Sequence, residues 1–160
     1  MNRITQLLTA LVFCSLVIVT ACKKKNNEDP DPLDEQAAKL TSATWGPGTI
    51  TLDNNQNGDW SQFTLTFQYN DAADEGQYTV SGVPANAGAD DVFGTAGTNY
   101  GWSFENSNTD IILREDGVRM NVNVDVAASP ATLILTFNIS DSGSRVAGFD
   151  GPWRFELVAQ

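Results

Sequence analysis

From Phe63 onward the chain alternates. Phe63, Leu65, Phe67 and Tyr69 are separated by Thr64, Thr66 and Gln68, and Val118, Met120, Val122, Val124 and Val126 by Arg119, Asn121, Asn123 and Asp125. Leu133, Leu135, Phe137 and Ile139 repeat the pattern, as do Trp153, Phe155 and Leu157 against Arg154 and Glu156. A side-chain period of two puts every second residue on one face, so each run is a strand with one buried side. Shorter runs at Trp45–Leu52, Gln77–Val80, Tyr100–Phe104 and Thr109–Leu113 bring the expected strands to eight. Asp116-Gly117 between two alternating runs is a strong hairpin signal. Asn54–Gly58, Asn70–Gly76, Asn106–Asn108 and Ser129-Pro130 mark further turns. Short sequential links favour an antiparallel up-and-down meander, and eight strands remove their exposed edges by closing into a barrel. The sequence therefore predicts an all-β domain over residues 37–160, preceded by a short helix over Leu33–Leu40.

The N-terminus follows different rules. Arg3 precedes an apolar run from Leu7 to Val19 that ends in Thr20-Ala21-Cys22. A charged start, a dozen apolar residues and a small-residue exit describe a secretory signal over residues 1–21. A retained span is the competing reading, but Lys23-Lys24-Lys25 behind it would favour a cytoplasmic body. Residues 22–36, polar and proline-broken, read as an acceptor cysteine and a disordered tether.

Two resemblances fit these residues. Val19-Thr20-Ala21-Cys22 resembles the lipobox of bacterial lipoproteins, which implies acylation of Cys22 and a membrane partner through it. The series Leu40-x4-Trp45, Phe63–Phe67, Gly101-Trp102-Ser103-Phe104, Arg114-Glu115-Asp116-Gly117, Leu133-x-Leu135-x-Phe137 and Gly151-x-Trp153-x-Phe155-x-Leu157 resembles the small lipocalin-like lipoproteins of Bacteroidetes. That resemblance implies a lipocalin-like barrel anchored to the outer membrane, on its surface or its periplasmic face, and supplies no catalytic residues. Cys14 leaves with the signal, so Cys22 is the one cysteine of the mature chain and no disulfide is expected.

Charge and composition narrow the function. Nine basic residues against twenty acidic give a net charge of −11, which argues against nucleic acid. The absence of histidine removes the histidine-based triads, imidazole metal ligands and imidazole general bases. Glu115-Asp116 and Asp90-Asp91 are paired acids that an enzyme could use for acid/base work, and solvated charge explains them better. No catalytic residues are assigned, and an enzyme is not expected.

The candidate ligand-binding residues are aromatic: Trp60, Tyr100, Trp102, Phe104 and Phe93. Trp60 follows an Asp/Asn-rich segment and Tyr100 follows the longest loop, Ser81–Asn99, so both are expected to be accessible. Val83, Val92 and Phe93 give that loop enough apolar content to serve as a lid over one barrel end, or it is a mobile surface loop. Asp53, Asn55, Asn57 and Asp59 match the opening of a calcium loop. The twelfth position is Thr64 rather than glutamate, so a plain turn without metal is preferred and no cofactor is expected. The reading that results is a lipid-anchored monomer whose barrel binds a small apolar or amphipathic ligand. The alternative is a filled barrel acting as a glycan-binding or protein-interaction module through Trp60 and Tyr100.

Overall fold

A computed structural model describes residues 29–85, 88–140 and 149–160. The expected signal sequence and Cys22 lie outside those residues. The described chain begins with helix α1 (Pro32–Leu40). Asp31 caps it by accepting the Leu33 amide at 2.9 Å, proline opens the first turn, and Asp34 and Glu35 sit early with Lys39 late, each complementing the helix dipole. The tether expected to run to Gln36 is thus helical from Pro32 onward. Gln36, Ala37 and Leu40 are buried because this face of the helix packs on the barrel.

Nine strands follow: β1 (Thr44–Leu52), β2 (Asn55–Gln56), β3 (Thr64–Asn70), β4 (Glu75–Ser81), β5 (Asn99–Glu105), β6 (Asn108–Arg114), β7 (Arg119–Asp125), β8 (Thr132–Ile139) and β9 (Gly151–Ala159). Every neighbouring pair is antiparallel, and β1 pairs with β9 as well as β3. The sheet therefore closes into an eight-stranded barrel of β1 and β3–β9, in the expected up-and-down order, with β2 as a two-residue spur on β1. All eight expected strands are present, with ends that differ from the expected ones by a residue or two.

The closure seam explains two residues that otherwise suit a strand poorly. Pro47 pairs with Leu157 and Thr49 with Glu156, so Gly48 is the extra residue of a bulge. Proline lacks an amide donor and is tolerated beside a bulge. A side chain at position 48 would meet the Glu156 carbonyl at 2.7 Å, so glycine lets the two strands approach.

Two hairpins use mirror-type two-residue turns. Asp53 and Asn54 have φ of 50° and 61°, and Asn106 and Ser107 have 49° and 60°, the twist that antiparallel strands need. At Asp116-Gly117 the glycine takes φ 86° and its amide donates to the Arg114 carbonyl at 2.9 Å.

The inward faces build one aromatic core. Trp45, Trp60, Phe63, Tyr78, Phe93, Trp153 and Phe155 are each almost fully buried. Helix α1 covers one end of the barrel, packing on β3 and β6, and the Trp45 indole donates to the Leu40 carbonyl at 2.8 Å. The opposite end is closed by helix α2 (Asp90–Phe93) and by a 3-10 turn, Gly58–Trp60.

Trp60 lies wholly inside, which corrects the expectation that it is exposed. The 3-10 turn carries its indole edge-on to Trp153 at 5.6 Å and Phe155 at 5.1 Å. Among the described residues no helix is long and apolar enough to cross a membrane.

Candidate functional site

The end closed by α2 combines burial, charge and backbone geometry that strand packing alone does not require. The link from β4 to β5 turns inward at α2, and Ala89, Val92 and Phe93 are completely buried. Of the two alternatives for this loop, the structure takes the lid. The Phe93 ring lies in the lumen, 4.8 Å from Phe155, 5.1 Å from Phe63, 5.3 Å from Phe137 and 6.1 Å from Tyr78. These wall residues come from β4, β8, β9 and the segment just before β3. The centre of the barrel is thus filled by a side chain that a loop supplies.

Glycines bracket the insertion. Gly88 has φ 91° and Gly94 φ 89°, a region other residues enter only with strain. Gly94 also makes room for Tyr100, whose ring would stand 2.3 Å from a side chain there. The Tyr100 hydroxyl accepts the Thr95 amide at 2.7 Å and its ring stacks on Tyr78 at 5.5 Å. Tyr100 is half-buried and secures the loop, so it does not form an outer platform with Trp60.

Beneath α2 lies a buried cation. Arg114 is only 4% exposed; its Nη1 donates to the Val92 carbonyl, and its Nε donates to Asp116 at 3.2 Å. Nη2 completes a two-point pair with the Asp116 carboxylate. The guanidinium also faces the rings of Phe93 at 5.6 Å and Tyr78 at 5.9 Å. These contacts make burial of the charge tolerable, because an unpaired guanidinium there would be very costly. Burial pushes the Tyr78 phenol well above its ordinary pKa, and Arg114 opposes only part of that shift.

The five candidate aromatics do not form one site. Phe93 and Tyr100 stand at the α2 end, and Trp60 reaches the same cluster through Phe63 and Phe155. Trp102 and Phe104 form a separate group nearer α1, in contact with each other at 5.2 Å. Tyr69 stacks on Trp102 at 5.7 Å, while Gly76 leaves space for the indole.

Two residues of the α2 end were missed by the sequence reading, Arg114 and Tyr78. The signal for Arg114 was its parity with Ile112, which places both inward on β6.

The segment Asp53–Asp59 is a turn, a two-residue strand and the start of a 3-10 turn rather than an open loop. The Asn55 amide donates to the Asp53 carbonyl at 3.1 Å, and the Asn57 side-chain oxygen accepts the Asp59 amide at 3.2 Å. Among the described residues no three acidic, cysteine or histidine side chains group to hold a metal. No protein-family model, curated protein or solved structure matches the chain.

Proposed function

We propose that the protein is a lipid-anchored component of the bacterial outer membrane whose barrel takes up a small apolar or amphipathic ligand at the α2 end. The observation that carries this reading is the origin of the central side chain: Phe93 belongs to a loop bracketed by positive-φ glycines, not to the wall. Moving α2 outward vacates an aromatic chamber lined by Phe63, Tyr78, Phe137 and Phe155 without breaking a strand pairing. Apolar ligands favour such chambers because their burial removes apolar surface from water at about 25 cal/mol per Å². A ligand large enough to replace the Phe93 and Val92 side chains recovers the apolar burial that their withdrawal loses. The anchor rests on the lipobox resemblance at Cys22. Lipocalin-like kinship rests on the motif series from Leu40 to Leu157 together with the barrel.

Native mass spectrometry of the protein from its own host tests the ligand, and titration with a naphthalene-type fluorophore tests the chamber. The expected results are a co-purifying apolar molecule and saturable one-to-one fluorophore binding. Absence of both a co-purifying molecule and saturable binding would refute the reading. Cys22→Ser should abolish acylation while leaving the barrel folded, and fatty-acid label entering that variant would refute the anchor.

A further inference from the structure

Withdrawal of α2 from the barrel uncovers more than ring carbon. Val92 precedes Phe93 on α2, and its backbone carbonyl is the acceptor for Arg114 Nη1. The guanidinium is held from its other edge, where Nε and Nη2 pair with Asp116. Arg114 ends β6 and Asp116 lies in the turn that follows, so neither belongs to the lid. When α2 leaves, the Val92 carbonyl leaves with it and the guanidinium stays. Its centre stands 5.6 Å from the middle of the Phe93 ring and 5.9 Å from that of Tyr78, so it borders the space that Phe93 vacates.

A buried donor without an acceptor is costly, and more so when it is charged. The wall offers little to replace the lost carbonyl. Phe63, Tyr78, Phe137 and Phe155 contribute one side-chain oxygen between them, the Tyr78 hydroxyl. A second donor already lacks an acceptor: Trp60 is completely buried against Phe63 and Phe155, and its indole Nε1 has no hydrogen-bond partner among the described residues. The emptied chamber is apolar in its walls and has more donors than acceptors. We infer that its ligand is an amphipathic molecule headed by an acceptor oxygen, carbonyl or carboxylate, which replaces the Val92 carbonyl on Arg114 Nη1 while its apolar body replaces the Phe93 ring. This inference rests on the ligand chamber at the α2 end and adds head-group specificity to it. Within α2, Phe93 supplies the ring and Val92 the acceptor, and the ligand competes with both. An ammonium head is rejected because it sets a second cation against the guanidinium with no acceptor for either. A bare hydrocarbon fills the space but leaves Nη1 unpaired.

The test is titration calorimetry of the full chain with naphthalenes substituted at one ring position. Acetylnaphthalene and naphthoate carry an acceptor, ethylnaphthalene carries none, and naphthylmethylammonium carries only donors. At least one acceptor probe should bind one-to-one, about tenfold or more tighter than the ammonium probe. Its affinity relative to ethylnaphthalene should fall by about tenfold or more in Arg114→Met, a ratio in which the differing water solubilities of the probes cancel. The ketone and the naphthoate separate a neutral head from an ionised one, and tighter binding of either supports the inference. Equal affinity for the ammonium and acceptor probes would overturn the head-group assignment and leave the chamber standing, as would an unchanged ratio in Arg114→Met. Should that variant not fold, the comparison of acceptor and ammonium probes on the unaltered protein decides. Binding of no probe would also overturn the inference, and the chamber falls with it only if fluorophore binding and a co-purifying molecule are both absent.

Discussion

Replacing Arg114 by methionine tests whether this side chain holds α2 in the barrel. Methionine keeps the apolar stem and removes the guanidinium that faces Tyr78 and Phe93. Three losses follow. The Val92 carbonyl is left buried without its donor, which costs about 1–3 kcal/mol. The guanidinium–ring attraction disappears, worth about 0.5–2 kcal/mol. Asp116 loses its ion pair, but at 36% exposure it can turn to water, so the full 3–5 kcal/mol of a broken buried pair does not apply. Burial of the methionine terminus offsets about 1 kcal/mol. The expected net loss is about 2–3 kcal/mol, or ~6–15 °C in melting temperature for a domain of this size. Thermal and urea unfolding of Arg114→Met, Asp116→Asn and the double variant measure it. The two changes should couple, since they remove the same pair. A change below about 0.5 kcal/mol in Arg114→Met, or strict additivity with Asp116→Asn, would refute the role assigned to Arg114.

Three further outcomes follow from the packing. Phe67→Ala should cost about 3–5 kcal/mol because the ring is buried against Trp102 and Tyr78, whereas Thr66→Ala, on the outer face, should cost well under 1 kcal/mol; equal effects would mean the inward face of β3 is misassigned. Burial, then Asp74, raises the Tyr69 phenol to about 12; such a group favours the native state below pH 10 and loses that contribution as pH rises toward 12, so stability should fall across this window and fall less in Tyr69→Phe, which ultraviolet titration and melting curves can check. Millimolar calcium should leave the melting temperature unchanged, because Asn55 and Asn57 bond the turn itself and the twelfth-position acid is absent; a rise lost in Asp53→Ala would contradict this.

The barrel was legible because its determinants are local. Alternation named the inward residues of β3, β7, β8 and β9, and the turn residues named the links. What the sequence did not show depends on where chain segments meet. Trp60 follows a polar turn, yet a 3-10 turn carries it into the lumen, and nothing in residues 53–59 signals that direction. Phe93 was legible as loop hydrophobicity, but its place among Phe63, Tyr78, Phe137 and Phe155 depends on strand closure over a hundred residues. Arg114 has the parity of an inward residue, while its partner Val92 lies 22 positions away. The helix start was missed by one residue because Asp31 and Pro32, read as tether, are also a cap and a first turn.

Hydrogen exchange across residues 88–97, read against the strands, tests the central claim most directly. If Phe93 is a removable occupant of the barrel, amides of this segment should exchange through a local opening. Their protection should lie several kcal/mol below that of β8 and β9, and addition of a bound apolar ligand should change exchange in this segment first. The β8–β9 pairing runs unbroken through eight residue pairs and sets the reference for global unfolding. Exchange of Val92 and Thr95 only at the rate of the β8–β9 amides would mean that α2 leaves the barrel only when the barrel unfolds, and would contradict a ligand chamber at this end.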